Sequence, residues 1–162
     1  MGWEIIALVF GAVSVGIAAY MWVWTMKQTN ENPLMEEFSR AVQEGAKTYL
    51  RRLFQALGLL AGVIAIVMLV ALDWQRAVAF LVGAVCSASA GYVGMTIATR
   101  ANARVAWAAR EGLEAAFPVG FRAGAVMGFA TVGVALIGMT LIYMIFQSPE
   151  VVLGFSFGAS TL

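Results

Sequence analysis

Arg100, Asn102 and Arg104 are the residues of this chain best suited to hold a ligand. Two guanidinium groups four residues apart share one face of a helix. Each is a forked donor that matches the oxygens of a carboxylate or phosphate. With Asn102 between them, the stretch ATRANAR could grip an anion. Little else reads as chemistry. The chain contains no histidine, which excludes His-ligated metals, Ser-His-Asp triads and imidazole proton relays. Glu36-Glu37 is the nearest approach to an acidic Mg2+ pair, but acids in the first turn of a helix explain it better. No GxxxxGK[ST] or GxGxxG phosphate loop is present, and the glycine-rich GFSFGAS is too apolar to act as one. Cys86, the one cysteine, lies in an apolar stretch and reads as a small packing residue. On residue types and spacing, no catalytic, cofactor-binding or metal-ligating position can be assigned.

The elements that must position these residues belong to a membrane protein. Of 162 residues, 62% are hydrophobic and 12% charged, whereas a soluble chain is about one-quarter charged. Mean hydropathy is +0.86. The net charge of +1 gives no reason to expect a nucleic-acid partner. Four segments reach the length of about 20 apolar residues that a bilayer requires. They run from residues 5–26, 53–72, 77–98 and 123–146. Trp3, Trp22, Trp24, Trp74 and Tyr143 fall near their ends, where an aromatic belt belongs. The N-terminus lacks a basic region, so the first span reads as a membrane helix and not a cleaved signal. The expected fold class is an all-α, four-span integral membrane protein.

Between the first two spans, Asn32-Pro33 reads as a helix start. Leu34, Phe38, Ala41, Val42, Ala46, Tyr49, Leu50 and Leu53 follow at helical period. This predicts an amphipathic cytoplasmic helix over 33–52 that continues into the second span. It would be a solvated helix lying along the membrane or on neighbouring protein. The third span is unusual, because Gly83, Ser87 and Gly91 recur four apart, as do Ala84 and Ala88. Such a face lets another helix backbone approach closely. A large residue at Gly91 is therefore expected to destabilise assembly. The Ala-rich extension after it should break near Gly112 or Pro118. The hydroxyls of Ser14, Ser87, Ser89, Tyr92, Thr96, Thr131 and Thr140 lie within the spans, and most can bond the backbone one turn back. After the fourth span, 151–162 reads as the start of a fifth helix. Nine of the ten Lys and Arg fall in the loops after spans one and three, leaving only Arg76 on the opposite side. That asymmetry places both basic loops in the cytoplasm and the N-terminus outside. The Arg100–Arg104 cluster is then a topology anchor before it is an anion site.

MEEFSRAVQEGAKTYLRR, GAVCSASAGYVGMTIATRANARVAWAAREGL, GFRAGAVMGF and GFSFGAS resemble, in order and spacing, the N-terminal part of the membrane-bound, ion-pumping pyrophosphatases. Leu53-Phe54 and Ser156 depart from the usual pattern. The resemblance implies a sixteen-helix homodimeric enzyme of the prokaryotic plasma membrane or an acidic organelle. It would hydrolyse magnesium pyrophosphate on the cytoplasmic side and pump H+ or Na+ outward. It implies Mg2+, and in some members K+ or Na+, as cofactors. The partners implied are the lipid bilayer and the remaining helices of the pump. The first four helices would belong to an outer ring, with the catalytic motifs beginning on the fifth and sixth. No catalytic residue transfers to this chain, which is expected to be a fragment, inactive alone. Two further readings are a self-contained four-helix transporter or complex subunit, and a non-catalytic assembly subunit. The first of these lacks a membrane carboxylate for coupling.

Overall fold

The computed structural model describes residues 2–29 and 32–161. Among them are five α-helices and no strand: α1 (Gly2–Met26), α2 (Pro33–Ala71), α3 (Trp74–Ala108), α4 (Leu113–Phe146) and α5 (Pro149–Ser160). The first four are long and apolar enough to cross a membrane, and the chain is a multi-pass integral membrane protein.

Local chemistry sets where the helices start and stop. Asn32 Oδ1 accepts a hydrogen bond from the Leu34 amide at 3.0 Å, and Pro33 occupies the first turn of α2. This joins a capping side chain to a residue that has no amide to lose. Asp73 Oδ1 accepts from the Arg76 amide at 2.8 Å and opens α3 directly after α2. The break between α3 and α4 falls at Gly112, whose φ of +115° only glycine adopts without strain. Pro118, the other candidate breaker, lies inside α4. It withholds one amide from the early turns without ending the helix.

α3 is the hub of the bundle, with α2, α4 and α5 all packed against it, while α1 packs chiefly on α4. α1 and α4 run antiparallel. The Trp3 and Tyr143 rings meet at 5.1 Å at one end, and the Arg122 guanidinium lies 3.8 Å from the Trp24 ring centre at the other. The α2–α3 hairpin closes over Ala61, Ala65, Phe80 and Ala84. α5 runs parallel to α3 and buries Val151 and Phe155 against Ala79 and Ile142. A third cluster unites Ala18, Ile97, Ala101, Ala123, Val126 and Ala130. The first and third of these clusters are rich in alanine. Lipid is as apolar as a leucine core, so helices gain from contact mainly when small residues bring their backbones close.

Glycines mark the tightest approaches. A Cβ on Gly158 would overlap the Phe80 carbonyl, and one on Gly154 would come within 2.8 Å of the Arg76 carbonyl oxygen. One on Gly83 would lie 2.8 Å from the Ala159 nitrogen. Gly11 and Gly133 make the corresponding crossing of α1 and α4, where a Cβ on Gly133 would come within 2.9 Å of the Gly11 carbonyl oxygen. Gly91 differs from the expectation above, since a Cβ there meets nothing within 4 Å. The close-packing face of α3 turns towards α5 and α4 through Gly83 and Gly94. Gly91 points away from both contacts.

α2 also refines the amphipathic segment. It is one uninterrupted helix of 39 residues, or about 58 Å at 1.5 Å per residue, against a bilayer core of about 30 Å. Its polar first half therefore projects beyond the membrane-length half and does not fold back along the bilayer surface.

Candidate functional site

The C-terminal end of α1 and the basic parts of α2 and α3 converge on an open polar cavity of about 430 Å³. Glu36, Ser39, Arg40 and Gln43 of α2 line one side, and Arg100 and Arg104 of α3 line the other, beside Met26. The fold therefore brings together two of the three residues that could grip an anion, and adds Arg40 from a distant part of the chain.

The hydrogen bonds decide what these cations do. Arg104 Nε donates to the Gln28 carbonyl at 3.1 Å, and Nη2 reaches the Met26 carbonyl at 3.5 Å. Nη1 donates to the Arg100 carbonyl at 2.6 Å. The Met26 and Gln28 carbonyls lie at and just beyond the C-terminus of α1, the negative end of the helix dipole, and α1 has no basic residue in its own last turn. Arg104 supplies both the donors and the positive charge from 76 residues away. Its fork is occupied by backbone, so it is a clamp between α1 and α3 and not a free anion ligand. Arg122 is used against Trp24, and Arg110 lies 4.3 Å from the Trp107 ring centre. Arg40 donates to Glu36 at 2.7 Å on the exposed surface of α2. That hydrogen bond and charge hold the Glu36 carboxyl below its usual range and raise the Arg40 guanidinium. Arg100 is left exposed, as are Lys47, Arg51 and Arg52 further along α2.

At the other end of the bundle, Arg76 binds the start of α3 to the start of α5. Its Nη2 pairs with Glu150, and its Nε lies 3.2 Å from Asp73 Oδ2 without the alignment of a hydrogen bond.

The Mg2+ that the resemblance implies does not fit the acids here. Among the described residues, no three of His, Cys, Asp and Glu lie together as a metal site. Glu36 is engaged by Arg40, and Asp73 and Glu150 by Arg76. The cavity contains no nucleophile with an adjacent base, so no catalytic step can be derived from it.

Most hydroxyls within the spans behave as their positions suggest. Ser89 bonds the Val85 carbonyl, Thr96 that of Tyr92 and Thr131 that of Met127. Ser14 does not. Its Oγ crosses to the Phe129 carbonyl on α4 at 2.7 Å, three residues from the Gly11 crossing. This contact had no local signal, because the residues around Ser14 do not say which helix it meets. The Arg104 clamp had no local signal, because its partners are backbone atoms of another helix.

Comparison with known proteins fits this picture. Residues 12–162 match the family model described as inorganic H+ pyrophosphatase. A K(+)-insensitive pyrophosphate-energized proton pump of Methanosarcina mazei is 38% identical over 154 residues, covering 94% of this chain and 23% of the relative. One from Pyrobaculum aerophilum is 37% identical over 177 residues, covering 100% and 24%. A K(+)-stimulated pyrophosphate-energized sodium pump of Thermotoga maritima is 43% identical over 136 residues, covering 83% and 19%. The chain thus spans about a quarter, or less, of the length of these relatives. With a family match across nearly its whole length and relatives of this identity, the chain belongs to the membrane-bound, pyrophosphate-energised ion-pumping pyrophosphatases.

Proposed function

We propose that this chain forms the first four helices, in an outer ring, of a homodimeric pump. The pump hydrolyses inorganic pyrophosphate on the cytoplasmic side and drives H+ or Na+ out across the membrane. The family match over residues 12–162 carries this reading. The role of the chain within the pump is structural. It supplies a glycine- and alanine-packed scaffold, a cytoplasmic basic end that sets orientation, and clamps that tie helix ends together. The charge asymmetry supports that orientation, because both basic connections lie at the end of the bundle where Arg104 meets α1. Mg2+ and any K+ or Na+ would be held by the pump's other helices. Among the described residues, the acids are engaged with arginines or too dispersed to hold a metal.

The test is Mg2+-dependent release of phosphate from pyrophosphate, measured on the isolated chain and on the full-length pump that carries it. The isolated chain is expected to show no turnover above background, and the full-length protein is expected to hydrolyse and acidify or load vesicles with Na+. Turnover by the isolated chain, or none by the full-length protein, would overturn the reading.

A further inference from the structure

α2 carries an apolar seam that none of the described residues covers and whose outer half stands beyond the reach of lipid. At 100° per residue, its first half divides into three sectors. Ser39 and Leu50 are buried on the side that packs against α3. Glu36, Arg40 and Glu44 form a charged, exposed side. Leu34, Phe38, Val42 and Tyr49 fall within one arc of about 80° that faces neither, and are 64%, 72%, 48% and 56% exposed. Exposed Lys47, Arg51 and Arg52 mark the membrane edge. Counting from Arg51, Val42 stands about 14 Å, Phe38 about 20 Å and Leu34 about 26 Å further out along the helix. The headgroup layer adds only about 5–8 Å to each side of the hydrocarbon core. A continuous helix cannot bend this face back to the bilayer. Below the edge, the same arc continues through Leu59, Val63, Val67 and Val70, all exposed. The result is one apolar seam, about 54 Å long, that crosses the membrane edge.

We propose that this seam seats a helix from the rest of the same pump. That helix runs alongside α2 through the bilayer and about 25 Å beyond it on the basic side. A soluble partner would cover the outer part alone. A second copy related by a two-fold axis along the membrane normal would bring Arg52, which lies within the same arc, against its own equivalent, where like charges repel. A different helix can place an acceptor opposite Arg52, and relatives about four times as long as this chain leave ample sequence for one. Ala41 and Gly45, between the large side chains, leave room for close approach.

The inference rests on the pump reading, but its readout is protection and not turnover. The experiment uses a cysteine-free form of the full-length pump, in vesicles that expose the basic end. Single cysteines are introduced as Phe38→Cys, Val42→Cys, Glu37→Cys and Glu44→Cys and labelled with a membrane-impermeant maleimide. Cysteines at 38 and 42 are expected to label roughly tenfold more slowly than those at 37 and 44. A photoreactive benzoylphenylalanine in place of Phe38 is expected to crosslink within one chain, to a peptide outside residues 1–162. Equal labelling rates, a crosslink to lipid or a dimer-sized product would overturn the proposal. Val42→Cys is the milder change and decides the matter if Phe38→Cys fails to fold. Protected positions in a protein that does not hydrolyse pyrophosphate would sink the pump reading alone. Hydrolysis with freely labelled positions would sink this inference alone.

Discussion

Gly154–Gly158 and Gly124–Gly128 are spelled alike, two glycines four apart in an apolar helix, yet they sit in opposite surroundings. The first pair lies against the backbone of α3 so closely that a Cβ would strike the Arg76 and Phe80 carbonyls. The second pair has nothing within 4 Å. The small-xxx-small spacing permits close approach but does not supply the partner. The same contrast separates the two ends of the bundle. Arg76 is paired with acids of its own chain, while Lys47, Arg51, Arg52 and Arg100 stand open. Closed seams are where this segment holds itself together, and open faces are where it has contacts left to make.

The sharpest way to break that comparison is to place the same side chain in both environments. Gly158→Leu forces α5 off α3 and is expected to lower stability by about 3 kcal/mol or more, at the upper end of overpacking. Gly91→Leu in the isolated chain is expected to leave the thermal midpoint in detergent unchanged, because its Cβ enters open space. Equal losses at the two positions would mean that the division into closed and open faces is wrong. The full-length pump adds a second measurement. If Gly91→Leu becomes destabilising there, the open face of α3 is covered by the remaining helices.

A middle-sized effect is expected at Arg104, a closed contact at the basic end. Arg104→Met removes charged hydrogen bonds to the carbonyls of Met26, Gln28 and Arg100 and should cost about 2 kcal/mol. Faster amide exchange over the last turn of α1 would report the same loss. Arg104→Lys is not expected to restore it, because a single ammonium cannot span all three carbonyls. Full rescue by lysine would show that charge alone matters, with the α1 dipole as the relevant partner.

The smallest effect is expected on the exposed side of α2. Arg40 depresses the Glu36 carboxyl, so the pair adds stability above the ordinary carboxylate pKa. That stability is lost as the pH falls through the lowered folded value. Glu36→Gln should therefore cost slightly at neutral pH and nothing in acid. Solvent screens the pair, so the neutral-pH difference should lie close to the limit of a thermal-shift measurement. A large shift would mean that the cavity beside Arg40 and Arg104 is more enclosed than its exposure indicates.

Much of the architecture was legible in the chain itself. The helix start at Asn32-Pro33 and the four membrane-length apolar runs are local signals, legible because their causes lie within a few residues. Of the two candidate breaks, Gly112 and Pro118, the backbone used the one that offered a positive φ. The illegible part was pairing. Nothing local tells Gly83 from Gly91, although only Gly83 meets α5. Nothing near Ser14 points to Phe129, and nothing near Arg104 points to the end of α1. For the site, residue types alone showed that this segment lacks a histidine and an acidic metal cluster. They left Arg100, Asn102 and Arg104 as a possible anion grip. The fold resolved that possibility by turning Arg104 onto carbonyls and leaving Arg100 exposed.

By itself, the sequence determined that this is a multi-pass helical membrane segment with one basic side, and its word order carried the family. Those properties depend on composition, on local hydrogen bonding and on the length a bilayer demands. Only the tertiary structure decided which small residues became contacts, which cations were consumed in clamps and which apolar seam of α2 stayed open. Each outcome depends on what stands opposite a residue in space. In a membrane, where lipid and side chains are equally apolar, hydrophobicity does not choose that partner; backbone approach and polar satisfaction do.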